Sequence, residues 1–178
     1  KDFPTYQPST QKAIGDDAAV MHYGDKRTLV TTDLLLEGIH FNLEYAPLKH
    51  LGYKAAVVNF SDIYAMNATP TQITVSLGIS KRFSVEDLEE LYAGIRLACE
   101  RYNVDLVGGD TSASMTGLTI SITCLGTAYD SDIVYRNEAK VNDLICVTGN
   151  LGTAYMGLQL LERERIVMQA NEKATPAF

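Results

Sequence analysis

What this sequence has little of narrows its class before any motif is read. Its three cysteines, Cys99, Cys124 and Cys146, stand far apart and form no CxxC pair or His–Cys spacing, so neither a disulfide framework nor a zinc site is encoded. They read as small buried hydrophobes in a reducing compartment. No apolar run approaches the length of a membrane span and no signal-like segment opens the chain, which makes the cytoplasm the expected location. The chain starts at Lys1 rather than at a methionine, as a trimmed chain would. Basic runs and basic patches interleaved with aromatics are absent, and 15 basic residues against 22 acidic ones leave a formal net charge of −7. That balance argues against a nucleic-acid partner, which needs a basic stripe. There is no internal repeat, no low-complexity tract and no EF-hand loop of the Asp-x-Asp-x-Asp-Gly kind.

What is present describes an ordinary globular chain. Its 178 residues are 46% hydrophobic and 21% charged, enough to bury about 70% of the unfolded surface in one domain, with the start of a second. Residues 1–14 read as an arm or loop. Strands are predicted at 18–21 and at 27–32, the second running into Asp33, and 34–47 reads as irregular. A helix over 51–66 follows, in a unit closed by Pro70. Residues 72–79 alternate Ile73, Val75, Leu77 and Ile79 with polar or small residues, the mark of a half-buried strand. Ser84, followed by Glu86 and Asp87, is placed to cap a helix with apolar positions from Val85 to Tyr102. Short strands at 105–107, 118–128 and 144–147 and a helix at 151–165 complete the pattern. Interleaved strands and helices predict an α/β or α+β fold.

Against this background, aspartates recur among small or hydroxyl residues where apolar runs stop: Gly15-Asp16-Asp17-Ala18, Thr31-Thr32-Asp33, Asn59-Phe60-Ser61-Asp62, Gly108-Gly109-Asp110-Thr111 and, more weakly, Gly149-Asn150. Two unit charges about 4 Å apart repel by roughly 4 kcal/mol at an effective dielectric near 20. If these carboxylates converge, a cation must hold them, and an all-oxygen set suits Mg2+, which usually arrives with phosphates. Each stretch also has a plainer reading. Asp16 and Asp17 suit an ordinary turn, and a threonine pair suits any strand. Asp62 fits an exposed helix edge, although Asn59 and Asp62, three apart, share one helix face. Gly108-Gly109-Asp110 makes a tight turn as readily as a phosphate cradle. Arg136 reads as a solvated residue or as a phosphate clamp, and His40, beside Phe41 and near Glu37, as an exposed loop residue.

In order and spacing, these stretches resemble the thiamine-monophosphate kinase family of the aminoimidazole-ribonucleotide-synthetase-like superfamily. The likeness runs from about Gly15 to Leu161. It includes Gly15-Asp16-Asp17-Ala18-Ala19-Val20, Thr31-Thr32-Asp33, Glu37-Gly38-Ile39-His40-Phe41, Lys54-Ala55, Asn59-Phe60-Ser61-Asp62-Ile63, Ala65-Met66, Gly108-Gly109-Asp110-Thr111 and Thr148-Gly149. The resemblance implies the superfamily's N-terminal ATP-binding domain over 1–140, a mixed sheet with helices packed on one side whose strands pair across a homodimer. Residues 141–178 would open a C-terminal domain, mostly missing, whose Asp-x-Ser-Asp stretch is absent. It also implies phosphorylation of thiamine monophosphate by ATP, giving thiamine diphosphate with Mg2+ as cofactor. By resemblance, Asp17, Thr32, Asp33, Asp62 and Asp110 hold Mg2+. Thr31 and Gly109 lie near nucleotide phosphates, Tyr92 near the nucleotide, Arg136 on phosphate and His40 on thiamine monophosphate. No dedicated base or catalytic nucleophile is implied, because the acceptor is itself a phosphate.

Three rival readings stay open at this point. Another synthetase of the superfamily shares the first motif, although a selenophosphate synthetase would want a reactive cysteine early in the chain and none precedes Cys99. A non-catalytic acidic module would bind cations without nucleotide. A dimerisation domain would carry these acids merely solvated.

Overall fold

The structure, a computed structural model, describes residues 5–170. Among these residues, contacts divide into two units, 5–42 with 46–139 and 43–45 with 140–170.

The first unit is built on a six-stranded sheet in the order β1-β2-β3-β6-β4-β5. Its strands are β1 (Thr10–Lys12), β2 (Ala19–His22), β3 (Arg27–Leu36), β4 (Thr69–Ile79), β5 (Asp105–Ala113) and β6 (Leu118–Ala128). All neighbours run antiparallel except β4 and β5, whose parallel pairing requires a crossover. That crossover is the helix α2 (Val85–Tyr102). The other helix, α1 (Leu48–Ala65), lies on one face of the sheet over β3, β6 and β4, and α2 packs on α1. The sheet is mixed and the class is α/β, as the interleaved pattern and the resemblance lead one to expect.

Local chemistry explains the elements that sequence periodicity anticipates. Ile73, Val75 and Leu77 of β4 are buried, as their alternation requires, and Ile120, Ile122 and Cys124 of β6 meet the same core. α2 opens on a capping box: Ser84 Oγ accepts the Asp87 amide at 3.2 Å, and Asp87 Oδ2 accepts the Ser84 amide at 2.8 Å. Two orphan donors of the first turn are thereby satisfied. α2 stops at Asn103, in the left-handed conformation that asparagine tolerates. The two helices cross at very short range. A Cβ on Gly94 would stand 1.8 Å from the Lys49 carbonyl oxygen, and one on Gly52 2.0 Å from that of Leu91. Only glycine fits at either point.

Several expectations are corrected. Residues 10–12 form a strand rather than loop, because β2 offers them an antiparallel partner. β3 does not stop at Asp33; pairing with β6 carries it to Leu36. α1 ends at Ala65, and Pro70 lies within β4, near its start. β5 runs through Gly108-Gly109-Asp110-Thr111 instead of ending before it, and it is an exposed edge strand rather than a buried one. Residues 144–147 form no strand.

The second unit comprises the short segment 43–45, irregular chain from 140, and the helix α3 (Thr153–Ala170). Tyr45 Oη donates to Glu162 Oε1 at 2.5 Å, and Arg165 pairs with Glu162 and Glu44. Thr148, Gly149 and Cys146 belong to this unit, and Cys146 is exposed, unlike the buried Cys99 and Cys124. Burial pushes the Cys124 thiol up to about 12, which keeps it unreactive.

Candidate functional site

The acids on β3 and α1 meet because β2 is short. β2 pairs with β3 only as far as Val30. Beyond that point α1 supplies the partners. Asn59, fully buried, accepts the Asp33 amide on Oδ1 at 3.0 Å and donates from Nδ2 to the Ala55 carbonyl at 3.0 Å. One turn on, Asp62 Oδ2 accepts from Thr31 Oγ1 at 2.8 Å. The i, i+3 spacing of Asn59 and Asp62 therefore does what it predicts, turning both toward one strand.

Asp17 completes this group from the loop before β2. Burial, foremost, holds the Asp62 carboxyl above its ordinary range; the Thr31 hydrogen bond opposes this, the Asp33 and Asp17 charges add to it, and Arg136 counters them. Asp17, Asp33 and Asp62 thus share one electrostatic neighbourhood, with Arg136 as its cation. Arg136 Nη2 donates to Asp17 Oδ1 at 2.6 Å. Asp16, beside it, has a side chain only 1% exposed, and its Oδ2 accepts no hydrogen bond. Among the described residues no three carboxylate, imidazole or thiol groups already stand at metal-holding range. The donors nevertheless fit a hard cation. All are oxygens, like charges crowd Asp62, and a buried carboxylate oxygen beside the group lacks a donor.

The remaining predicted residues lie elsewhere on the unit. Thr32 alternates with Thr31 and Asp33, so it occupies the opposite face of β3, where its hydroxyl donates to the Ile122 carbonyl and accepts from Thr123 Oγ1. Asp110 pairs with Ser76, Ser76 with Ser121, and Ser121 with Leu34. It is therefore three strands from β3, about 14 Å at roughly 4.8 Å per strand. Tyr92 of α2 and Gly109 come together instead, in a groove of about 530 Å3 lined by Tyr92 and residues 106–111. Gly109 has a packing reason of its own, since a Cβ there would stand 1.9 Å from the Val75 carbonyl oxygen.

His40 stands on the loop after β3. Its Nδ1 accepts the Leu36 amide at 3.0 Å, so the proton of the neutral ring is on Nε2. Lys54 of α1 donates to the His40 carbonyl at 2.8 Å. Glu37 ties the loop down from its other end, accepting from Arg82 and, on Oε2, from the Leu118 amide at 2.8 Å. The Arg82 hydrogen bond lowers the Glu37 carboxyl below its usual range. Sequence reasoning missed Arg82, which carries no local signal, and left Asn59 without a role. A buried asparagine inside an apolar helix was the available clue.

The architecture has solved counterparts. A structure of AaThiL complexed with AMPPCP and TMP superposes with a TM-score of 0.79 at 36% identity, covering 93% of this chain and 50% of that one. Curated thiamine-monophosphate kinases are similar in sequence: that of Bacillus subtilis is 35% identical over 162 residues, 89% of this chain and 49% of the relative. That of Aquifex aeolicus is 38% identical over 154 residues, 86% of this chain and 49% of the relative. The chain thus spans about half the length of the curated relatives it matches. Residues 15–128, which contain β2 to β6, both helices of the first unit and every predicted site residue except Arg136, match the model of the AIR synthase related protein N-terminal domain. The chain belongs to the AIR-synthase-related family.

Proposed function

We propose that this chain is the ATP- and Mg2+-binding portion of a thiamine-monophosphate kinase, a phosphotransferase whose acceptor is a phosphate group. The carrying observation is that Asn59 and Asp62 of α1 are hydrogen-bonded to the Thr31–Asp33 stretch of β3, while Asp17, in the loop before β2, pairs with Arg136. The similarity to kinases of that name, and to a structure holding AMPPCP and TMP, supports ATP and thiamine monophosphate as the substrates. In the reaction an oxygen of the thiamine monophosphate phosphate forms a bond to the γ-phosphorus of ATP. The bond from that phosphorus to the β,γ-bridging oxygen breaks, and ADP leaves. Such a transfer asks the protein for positioning and charge neutralisation rather than covalent chemistry, so no base is assigned.

Within that reading, Asp17, Asp33 and Asp62 hold Mg2+, and Asn59 and Thr31 keep two of them aimed. Thr32 and Asp110 are assigned to further Mg2+ positions. A single ion with ligands near 2.1 Å cannot span the sheet from Asp33 to Asp110, so more than one ion is required. When bound, Mg2+ neutralises the polyphosphate and can clamp attacking and leaving oxygens. Arg136 takes a phosphate oxygen, as does the Gly109 backbone, and Thr31, its hydroxyl proton committed to Asp62, lies near the nucleotide phosphates; Tyr92 flanks the nucleotide, and His40 receives thiamine monophosphate through its loop. Residues 1–140 form the ATP-binding domain, and 141–178 open a second one. A cytoplasmic homodimer belongs to the same reading. The unpaired outer edge of β5 supports the dimer; among the described residues no helix is long and apolar enough to cross a membrane.

The test is calorimetric titration of ATP with and without Mg2+, into the chain and into Asp33→Ala. Weak Mg2+-dependent binding, lost in the variant, is expected, with little turnover of thiamine monophosphate by these residues alone. Binding indifferent to both Mg2+ and Asp33 would overturn the metal–nucleotide site.

A further inference from the structure

Asp16 is the one carboxylate of the acidic group that the proposed function leaves unused, and its side chain is almost wholly enclosed. Its side chain is 1% exposed, while that of Asp17 next to it is 34% exposed. Oδ1 of Asp16 accepts the Asp17 amide at 3.1 Å and the Arg136 amide at 3.4 Å, and stands 3.5 Å from Arg136 Nε. Oδ2 accepts no hydrogen bond, and Lys12 Nζ lies 3.9 Å away. An aspartate that merely shapes a turn stays hydrated. Burying a carboxylate costs several kcal/mol unless partners offset it, so this placement calls for a purpose.

The geometry points to one: Asp16 is a positioning residue for Arg136. The guanidinium meets two carboxylates: Nε faces the buried Asp16 as an ion pair at 3.5 Å, and Nη2 donates to the half-exposed Asp17 at 2.6 Å. Only the second contact is exchangeable. When Asp17 turns to a cation, Nη2 is released and its edge faces an incoming phosphate oxygen, while Asp16 keeps the guanidinium from swinging into solvent. Arg136 is 56% exposed and follows an irregular segment, so without that post its many rotamers would dilute the productive one. The inference rests on the proposed metal and phosphate roles of Asp17 and Arg136.

Asp16→Asn tests it, because the amide keeps the size and an acceptor oxygen and removes the charge. In the ligand-free chain, the Asp16 charge should hold the Arg136 guanidinium in place, read by nitrogen-15 relaxation as a restricted Nε–H vector. Asp16→Asn should lose that restriction, Asp17→Asn should keep most of it, and Asp16→Glu should restore it at least in part. In calorimetry, Asp16→Asn should weaken Mg2+-ATP binding about tenfold, the scale of a charge-assisted contact, and leave binding of Mg2+ alone within about twofold. Added to Arg136→Ala, it should weaken ATP binding no further, as expected of a residue acting through that arginine. A purely structural role would instead give additive losses. Persistence of the restricted Nε–H vector in Asp16→Asn overturns the proposal, as does additivity, or loss of Mg2+ binding as large as that in Asp17→Asn. If the unaltered chain shows no Mg2+-dependent ATP binding, the kinase reading fails, and the arginine relaxation alone still decides whether Asp16 holds Arg136.

Discussion

Asp33 and Asp110 stand on strands of one sheet, each after hydroxyl or glycine residues, yet their surroundings are opposite. Around Asp33 the fold commits partners: a buried asparagine on its amide, Thr31 on the neighbouring Asp62, and an arginine on Asp17. Around Asp110 every residue of β5 is exposed, and among the described residues its carboxylate accepts from the next amide, that of Thr111, at 2.9 Å. The difference follows from position. A strand in the middle of a sheet and under a helix must satisfy each polar group from within, whereas an edge strand leaves its groups to water or to whatever binds. One side of the proposed site is therefore prebuilt, and the other is completed by ligand.

The largest test of that contrast is a pair of alanine substitutions. Asp33→Ala should lower Mg2+-ATP affinity about a hundredfold or more, and Asp110→Ala about tenfold, as read by calorimetry. Equal losses would erase the distinction between a prebuilt and a ligand-completed side. Two glycines with near-identical clashes sharpen it. Gly94→Ala drives a Cβ to 1.8 Å from Lys49 in a helix pair that cannot yield, and should cost about 3 kcal/mol in urea unfolding. Gly109→Ala drives one to 1.9 Å from Val75, but on an edge strand that can shift, and should cost about 1 kcal/mol.

Smaller effects probe the centre itself. Asn59→Ala orphans the Asp33 amide and should destabilise by about 2 kcal/mol, whereas Asn59→Asp keeps an acceptor while adding a fourth nearby acid, and should regain stability only below neutral pH. Asp62→Asn should act in the opposite direction. Because burial first, and then the Asp33 and Asp17 charges, hold the Asp62 carboxyl high, the folded chain binds its proton more tightly than the unfolded one. The associated stability is fully present below the unfolded value and is lost as pH rises through the folded one. At neutral pH the ionised group is thus a cost, and asparagine should raise the melting temperature slightly, because solvent screens this partly exposed group. The same ionisation makes Mg2+ binding strengthen as pH rises through that range. A melting temperature unchanged or lowered by Asp62→Asn would mean that burial and the neighbouring charges do not lift this carboxyl.

Legibility followed the range of the interactions. Alternation in β4 and β6 and the capping box of α2 are written within a few residues, and the structure follows them. β1 was invisible because three residues form a strand only when β2 is beside them. β5 was read as ending at its glycines, since Gly-Gly-Asp has turn chemistry; parallel pairing with β4 overrides it through Ala113. Residues 144–147 have β propensity with no neighbour to pair with and form no strand. In the site, Asn59 and Asp62 were legible as one helix face. The separation of Thr32 from Thr31 follows from strand alternation once β3 is known to run past Asp33.

By itself, then, the sequence determined the alternation of strands and helices, the cap that starts α2, and the supply of oxygen ligands at recurring stretches, because these depend on neighbours along the chain. Tertiary structure alone decided which acids meet. Asp62 and Asp33 are tied to one stretch because β2 is too short to cover β3 and α1 crosses in its place. Asp110 stays apart because strand order sets β6 and β4 between it and β3. Strand order and helix crossing are settled by burying a common core, in which Phe60, Ile63 and Ile122 are all but inaccessible to water. No local stretch of sequence contains that information.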